Sequence, residues 1–548
     1  MKHTLFLFAS FFLASGVSTP VFSHERTEAE LYTLALQHFR NVSTADGPRM
    51  APPTVAELQH PFSEGGLHVF EAAGRGFVVL AANEQADPVL AYSSTPFPAG
   101  DMPDGLRWWM QGMAEALQRP SLAPLRAPFT PVENLIQTEW GQEDPYNFLC
   151  PQDGKRKMPT GCVATAMAQI FYYLRYPAQG HGDGSYKIGH TGSPIAMPIQ
   201  GVYDYDLMSP SYKGKKLTDE ERLPVATLMR DLGYSCRMSY GTGGSGALSN
   251  YAAQGLVNNF DYDSLALHAY HREYFTTEEW MGLIQEELRQ RRPFYYAASD
   301  PKDGGHAFVF SGIDAEGRVY VNWGWSGSGN GYYNVELLDA NDEGRSLGTF
   351  SANQHMIIGM KPVGTAHGET YQTHLALQEP ISVSNPTGSY LSMRLPEVYN
   401  YNFLNFYGEV GYLIESLDAA NDYSQFVSLL NTANAGYIIP YYASDGGSKM
   451  MNMKDLPAGH YRIRPVCKPV QTRAFQPVRS YGGMAYVDVE KLASGKFAIG
   501  EILIESSVPS VSASGKASTS SWYDLGGRRV ARPEKGIFIR DGRKVLMR

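Results

Sequence analysis

Cysteine is scarce in this chain, which has only four in 548 residues: Cys150, Cys162, Cys236 and Cys467. Four thiols are too few for a disulfide framework, although a Cys150–Cys236 pair stays open. The sequence has no Cys-x-x-Cys motif and no cluster of Cys and His at zinc-binding spacing, so no metal site is predicted. Each thiol therefore has to be explained by its own surroundings.

Charge is also limited, and its balance is negative. Charged residues make up 18% of the chain and the formal net charge is −9, against an average charged fraction of about 25%. This balance argues against nucleic acid or an anionic membrane as the main partner. The glycine-rich residues 241–246 lack the Gly-Lys-Ser/Thr ending of a phosphate-binding loop. We therefore expect no nucleic-acid partner.

Long apolar runs are confined to the first 23 residues. Lys2 and His3 precede the apolar stretch Leu5–Val17, and a small-residue end follows at residues 21–23. This order is typical of a secretory signal peptide, and the run is shorter than the ~20 residues of a spanning helix. No later run is long enough to cross a membrane. The sequence predicts a signal peptide over residues 1–23, no transmembrane segment, and a secreted or cell-surface protein.

Cys162 stands at the start of a predicted helix. It follows a Pro-Thr-Gly turn, and apolar residues recur after it at helical spacing, including Val163, Met167 and Ile170. The free N–H groups and the dipole at a helix N-terminus favour a negative charge, which lowers a thiol pKa. The alternative is a buried structural cysteine.

A histidine and an Asn-Trp pair complete a possible catalytic set. His306 begins a predicted strand after two glycines, and Asn322-Trp323 ends the next predicted strand. Such strands place these residues side by side across a hairpin. A thiol needs a base for its proton, and an imidazole needs a third group to hold its tautomer. A packed histidine without a catalytic role is the alternative.

These segments resemble the streptopain-like cysteine peptidases, a papain-fold group of secreted bacterial zymogens. The resemblance covers roughly residues 25–362 and is carried by four segments in the family's order: residues 140–142, 161–169, 305–309 and 321–325. The segment Gly161-Cys162-Val163 departs from the plant-papain signature, which has a flanking Cys and an aromatic residue. The resemblance implies an α+β protein with a papain-like two-lobed catalytic domain.

The same resemblance implies roles for eight residues. Cys162 is the nucleophile and His306 its general base and acid, while Gln142 joins the backbone N–H of Cys162 in an oxyanion hole. The orienting role falls to the Asn322–Trp323 pair without being divided between them. Gly305 and Ser245 match positions where the family's backbone meets the substrate, and Trp325 is expected to shield the site or line the substrate cleft. Without the resemblance, Gln142 reads as an ordinary surface residue, and Trp323 and Trp325 as core.

Length and composition divide the chain into several parts. Residues 24–120, with predicted strands at 74–82 and 88–93 and a helix at 106–118, resemble the family's inhibitory pro-domain. The proline-rich connector after it predicts a maturation cut within residues 118–130, although an ordinary linker fits as well. The other predicted parts are a catalytic domain (131–362), a β-sandwich (365–505), a linker (506–521) and a tail (522–548) that resembles the C-terminal sorting signals of Bacteroidetes-type bacteria.

The sequence thus predicts a secreted cysteine endopeptidase made as a self-processing zymogen. Its partners are protein and peptide substrates, with host proteins as candidates, and its own pro-domain as inhibitor; no cofactor is required. An amidase or transglutaminase on the same residues is one alternative. A binding protein that uses its β-rich C-terminal region is another, and the tail is alternatively an edge hairpin of that region.

Overall fold

The computed structural model describes residues 25–41, 51–118, 129–186, 195–300, 304–336, 352–365, 368–418 and 421–505, with four short strands between 522 and 547. The predicted signal peptide, the linker and residues 119–128 of the predicted cut region lie outside the described residues. The chain forms two compact units, Met1–Ser507 and Val508–Arg548. In the first unit we distinguish an N-terminal segment (25–118), a central segment (129–365) and a C-terminal segment (368–505).

The N-terminal segment is a four-stranded antiparallel sheet with a helix on each face. Strand β3 is buried along its whole length because helix α1 covers one face, through Leu31 and Phe39, and helix α2 the other, through Trp109 and Met113. The predicted strands and helix are confirmed. The elements are α1 (Glu28–Asn41), β1 (Leu58–Glu64), β2 (Leu67–Ala72), β3 (Gly76–Ala81), β4 (Val89–Ser93) and α2 (Asp104–Ala116).

The central segment places its helices mainly before its long strands, as expected for an α+β domain. Capping boxes begin two helices, one formed by Thr218 and Glu221 and the other by Thr276 and Glu279. The helices are α3 (Cys162–Leu174), α4 (Asp219–Ser235), α5 (Ser249–Phe260) and α6 (Thr277–Arg289). The strands are β5 (Gln152–Asp153), β6 (Arg156–Lys157), β7 (Asp183–Tyr186), β8 (Ile195–Pro198), β9 (His268–His271), β10 (Phe294–Asp300), β11 (Gly304–Ile313), β12 (Val319–Asn322), β13 (Gly331–Tyr333) and β14 (Ala352–Ile358).

The N-terminal and central segments share one ten-stranded sheet, in the order β1-β2-β3-β4-β13-β12-β11-β10-β14-β9. The junction is the antiparallel pair of β4 and β13, with Tyr92 opposite Tyr332. On one face of the central strands lies the core around α3, and on the other lies the core that contains α2 and α6. The predicted α+β class is confirmed.

The C-terminal segment is almost entirely β structure. Its sheets enclose one core that includes Leu391, Tyr412 and Ile463. The sheet orders are β15-β18-β21, β16-β17-β22 and β20-β19-β23-β25-β26, with β24 paired to β23. The elements are β15 (Leu375–Leu377), β16 (Ser382–Ser384), β17 (Tyr390–Arg394), β18 (Val398–Asn400), β19 (Gly408–Ser416), β20 (Ser424–Asn431), α7 (Thr432–Ala435), β21 (Ala443–Ser444), β22 (Ser448–Asn452), β23 (Gly459–Pro469), β24 (Gln476–Pro477), β25 (Met484–Lys491) and β26 (Phe497–Glu505).

One strand predicted in this segment is wrong. The aromatic and β-branched residues 437–442 predict a strand from the sequence, but among them only Ile438 makes an isolated bridge, to Phe406. The physical reason is Pro440, which has no N–H for a ladder, together with the positive φ of Tyr441. The run at residues 461–466 also predicts a strand, and this prediction is confirmed because the run lies within β23.

The second unit is a small antiparallel sheet with the order β28-β27-β29-β30. Its strands are β27 (Trp522–Tyr523), β28 (Arg529–Val530), β29 (Gly536–Arg540) and β30 (Arg543–Met547). The last two strands pair antiparallel, with Gly536 opposite Met547 and Arg540 opposite Arg543. Across the described residues of both units, no helix has the length and apolar character needed to cross a membrane.

Candidate active site

Helix α3 begins at Cys162, and the residue before it, Gly161, has a backbone conformation that favours glycine. Gly161 has a φ of 85°, and a Cβ there would lie 2.5 Å from Sδ of Met238 and 2.9 Å from the Ser245 carbonyl oxygen. A side chain at this position would therefore be both strained and obstructed. The thiol of Cys162 is half-buried, and none of the four cysteines forms a disulfide.

His306 lies near the start of β11 and is held from behind by the chain itself. Its Nε2 donates a hydrogen bond to the Trp323 carbonyl oxygen at 3.0 Å. This bond fixes the tautomer and leaves Nδ1 as the ring nitrogen available to the thiol of Cys162, which lines the same cleft. The imidazole is 5% exposed, so bulk water has little access to it.

The electrostatics of the two groups reinforce each other. Burial raises the pKa of the Cys162 thiol, but the charge and hydrogen bond of His306, with main-chain bonds at Ala307 and Val163, outweigh burial and lower that pKa overall. Burial lowers the pKa of His306, but Cys162, the Trp323 carbonyl and Asp104 raise it overall. These opposite shifts favour a thiolate beside an imidazolium.

Trp323 and Asn322 occupy different places around the histidine. The Trp323 indole is core, with its ring 4.9 Å from that of Phe308 and its Nε1 donating to the Gly329 carbonyl, so only its main-chain oxygen serves His306. The Asn322 side chain is 1% exposed and bonds to Gln169, Thr138 and Gly324. Its amide thus belongs to a network behind the Trp323 carbonyl.

A cleft of about 640 Å³ opens over the thiol. Six of the eight predicted residues line it: Gln142, Cys162, Ser245, Gly305, His306 and Trp325. The ring of Trp325 lies 6.2 Å from that of His306. Gly305 is exposed, and a Cβ there would have only ordinary contacts, so a side chain would project into the cleft.

The N-terminal segment closes the histidine side of this cleft. A Cβ on Gly105 of α2 would lie 2.6 Å from the Trp323 ring and 2.9 Å from Cδ2 of His306. The Trp108 ring sits 6.0 Å from the imidazole, and Asp101 and Asp104 stand at the rim. Sequence reasoning missed these contacts. The adjacent tryptophans Trp108 and Trp109 were a usable signal, because neighbouring side chains on a helix point about 100° apart and two buried rings must therefore be covered from different directions.

Comparison with known proteins agrees with this geometry. Residues 140–333 match the Peptidase C10 family, and residues 27–117 match the Spi protease inhibitor family. The chain is 28% identical over 383 residues to streptopain of Streptococcus pyogenes, covering 63% of this chain and 95% of streptopain. It is 30% identical over 317 residues to the thiol protease/hemagglutinin PrtT of Porphyromonas gingivalis, covering 52% of this chain but 36% of that protein.

A solved structure gives the same result for the fold. A fragment of Prevotella intermedia prointerpain A is 32% identical, with a TM-score of 0.50, and the match covers 56% of this chain and 99% of the fragment. The fold and the site therefore define a papain-like cysteine endopeptidase made as a zymogen. The chain belongs to the peptidase C10 family, and its N-terminal segment matches the Spi protease inhibitor family.

Proposed function

We propose that Cys162 is the nucleophile of this peptidase and that His306 is its general base and acid. The observation that carries the proposal is the thiol–imidazole pair, whose far ring nitrogen is held at 3.0 Å by the Trp323 carbonyl. The lowered thiol pKa and the raised imidazole pKa support a reactive ion pair in the resting enzyme.

The chemistry follows from these positions without a cofactor. The thiolate attacks the peptide carbonyl carbon, a C–S bond forms, and the carbonyl oxygen becomes an oxyanion. The Gln142 amide and the backbone N–H of Cys162 donate to that oxyanion. His306 gives its proton to the leaving amine as the C–N bond breaks. It then takes a proton from water, which attacks the thioester and releases the acid and the thiolate.

We assign substrate contact to Ser245, Gly305 and Trp325. All three line the cleft beside the thiol. Gly305 leaves room for a substrate main chain, and Trp325 provides an aromatic wall next to His306. Trp323 serves the histidine through its carbonyl, and Asn322 through the network behind it.

We further propose the division of the chain into an inhibitory pro-domain (24–120), a catalytic domain (131–362), a β-sandwich (365–505), a linker (506–521) and a sorting tail (522–548). The close approach of α2 to His306 supports inhibition by the first of these. Maturation then requires a cut within residues 118–130. A signal peptide over residues 1–23 and the tail direct the protein to the cell exterior or surface, where host proteins are among its substrates.

The test is the intact mass of the purified full chain over time, wild type beside Cys162→Ala, under reducing conditions. We expect only the wild type to shed its N-terminal segment and then to digest casein, and an epoxide thiol inhibitor to stop both. The mass gives the cut site. If Cys162→Ala also processes itself, or if the inhibitor leaves wild-type Cys162 unlabelled, the assignment of the nucleophile is wrong.

A further inference from the structure

Three parts of the catalytic machinery meet at one buried glutamine. Gln169 lies on α3, seven residues after Cys162 and therefore about two turns into the same helix. Its Oε1 accepts hydrogen bonds from the Thr138 hydroxyl at 2.8 Å and from the Trp140 N–H at 3.4 Å. Its Nε2 donates to Oδ1 of Asn322 at 3.2 Å.

The main chain fixes the direction of every bond in this network. The N–H groups of Trp140 and Gly324 can only donate, so the amide oxygens of Gln169 and Asn322 must face them. The Thr138 carbonyl can only accept, so it takes the Asn322 Nδ2, at 2.6 Å. The two amides then meet with the Gln169 nitrogen against the Asn322 oxygen, and no other arrangement satisfies all three main-chain groups.

Burial makes the network intolerant of change. Gln169 is 0% exposed, Asn322 1% and Thr138 2%, so a lost partner leaves a polar atom without water to replace it. The two residues that Gln169 joins are close to the reacting groups. Trp140 is two residues before Gln142, and Asn322 directly precedes Trp323, whose carbonyl holds the imidazole of His306.

We propose that Gln169 is a positioning residue of the peptidase. Its side chain bonds the 138–142 segment and the 322–324 turn to helix α3, which carries the nucleophile. These bonds fix the relative positions of the Cys162 thiol, the Gln142 amide and the Trp323 carbonyl. Asn322 acts with Gln169 by holding that turn and does not itself touch the imidazole. This inference rests on the proposed roles of Cys162, His306 and Gln142.

Two substitutions of Gln169 separate its bonds. Gln169→Glu keeps an acceptor for Thr138 and Trp140 but sets oxygen against oxygen at Asn322, whereas Gln169→Met removes every bond at similar volume. We expect kcat/KM of the self-processed full chain to fall about tenfold for the first and about 100-fold for the second, since small misplacements of reacting groups cost this much. The loss should lie in kcat, with KM little changed.

The pH profile provides a readout that a merely structural role would not move. The Trp323 carbonyl raises the pKa of His306, so a displaced carbonyl lowers that pKa and shifts the alkaline limb of the profile to lower pH. If a variant does not process itself, the rate of Cys162 alkylation against pH in the full chain reports the same ion pair. In an Asn322→Ala background, Gln169→Glu should have little further effect, because its opposing oxygen is gone.

Asp231→Asn is the matched control, since Asp231 is also 0% exposed and bonds to Gly201 and Tyr203 away from the cleft. It should lower stability without shifting the pH profile. Activity is expressed per thiol labelled by an epoxide inhibitor. If the Gln169 variants lose only stability, or raise only KM, the positioning role is wrong. If Cys162→Ala stays active, the proposed site itself fails, which is a separate outcome.

Discussion

The central segment has a neighbour on each side, and the two contacts are built from different groups. Against the N-terminal segment the contact combines a shared apolar core, which contains both Trp109 of α2 and Trp323, with a strand pair. In the strand pair β4 joins β13, the Asn334 N–H donates to the Leu90 carbonyl, and Arg318 donates to the Val89 carbonyl. Such main-chain groups can turn to water when a strand leaves. Water can therefore replace the main-chain bonds of this contact, and the apolar packing of α2 is what holds the segment in place.

The contact with the C-terminal segment buries groups that water would otherwise hold. Arg479 forms an ion pair with Glu279 at 3.1 Å, and the Glu279 side chain is 1% exposed. Phe403 enters the core around α3, and the hydroxyls of Tyr274 and Tyr401 lie 3.0 Å apart. Separation would leave a charge and an apolar ring uncompensated. The difference suggests one neighbour suited to release and one suited to stay.

The largest expected effect is on the stability of the contact between the central and C-terminal segments. Arg479→Ala leaves the Glu279 carboxylate buried without this cation, which typically costs about 3 kcal/mol or more. We expect the free energy of unfolding to fall by that amount, measured by urea denaturation of the full chain in the Cys162→Ala form, which prevents self-digestion. Arg394→Ala is the control, because its pair with Glu379 is exposed on both sides and such pairs contribute ~1 kcal/mol or less. Equal losses from the two variants would contradict the proposed difference.

The next effect concerns the contact between the N-terminal and central segments and is measured as a rate of self-processing. Gly105→Ala puts a methyl group 2.6 Å from the Trp323 ring, and overpacking of this kind costs about 1–3 kcal/mol. We expect this overpacking to weaken the contact of the N-terminal segment with the central segment. The rate of self-processing, followed by intact mass, should then be about tenfold higher in Gly105→Ala than in the wild type. A Cβ on Gly100 meets nothing within 4 Å, so Gly100→Ala should process at the wild-type rate. A slower rate in Gly105→Ala would show that this contact does not restrain the enzyme.

The two contacts also show what the sequence can predict. Cys162 at a helix start and His306 on a hairpin with Asn322 were predictable, because helix periodicity and strand pairing are local patterns. That the Trp323 carbonyl and not the Asn322 amide meets His306 was not, since it depends on which neighbours claim that amide. Gly105 and Gln169 were missed for the same reason. Their roles come from residues distant in sequence, and neither residue type signals such a role by itself.

Histidines at the contact with the C-terminal segment supply the smallest and most gradual effect. His374 Nε2 lies 3.3 Å from Nδ1 of His268, and the His271 ring lies 4.2 Å from that of Tyr401. Burial lowers the pKa of His268 to about 4, although Glu369 opposes this shift, and burial also lowers the pKa values of His271 and His374.

A histidine whose pKa is lower in the folded state is neutral in both states above its unfolded pKa of about 6.5, and there it takes nothing from the stability of the fold. As pH falls from that value toward the folded pKa, the unfolded state binds a proton that the folded state does not, and the free energy of unfolding decreases. For His268 that window runs from about 6.5 down to about 4. We expect the free energy of unfolding of the Cys162→Ala chain to fall between pH 7.5 and pH 5, by at most ~1.4 kcal/mol per pH unit for each histidine.

His374→Phe should flatten this dependence, because it removes a titrating group and the repulsion between two protonated rings. His460, on β23 away from this contact, supplies the control His460→Phe, which should keep the wild-type slope. If His374→Phe also keeps the wild-type slope of the free energy of unfolding against pH, protonation of these histidines does not weaken the contact with the C-terminal segment, and the contact stays stable at low pH.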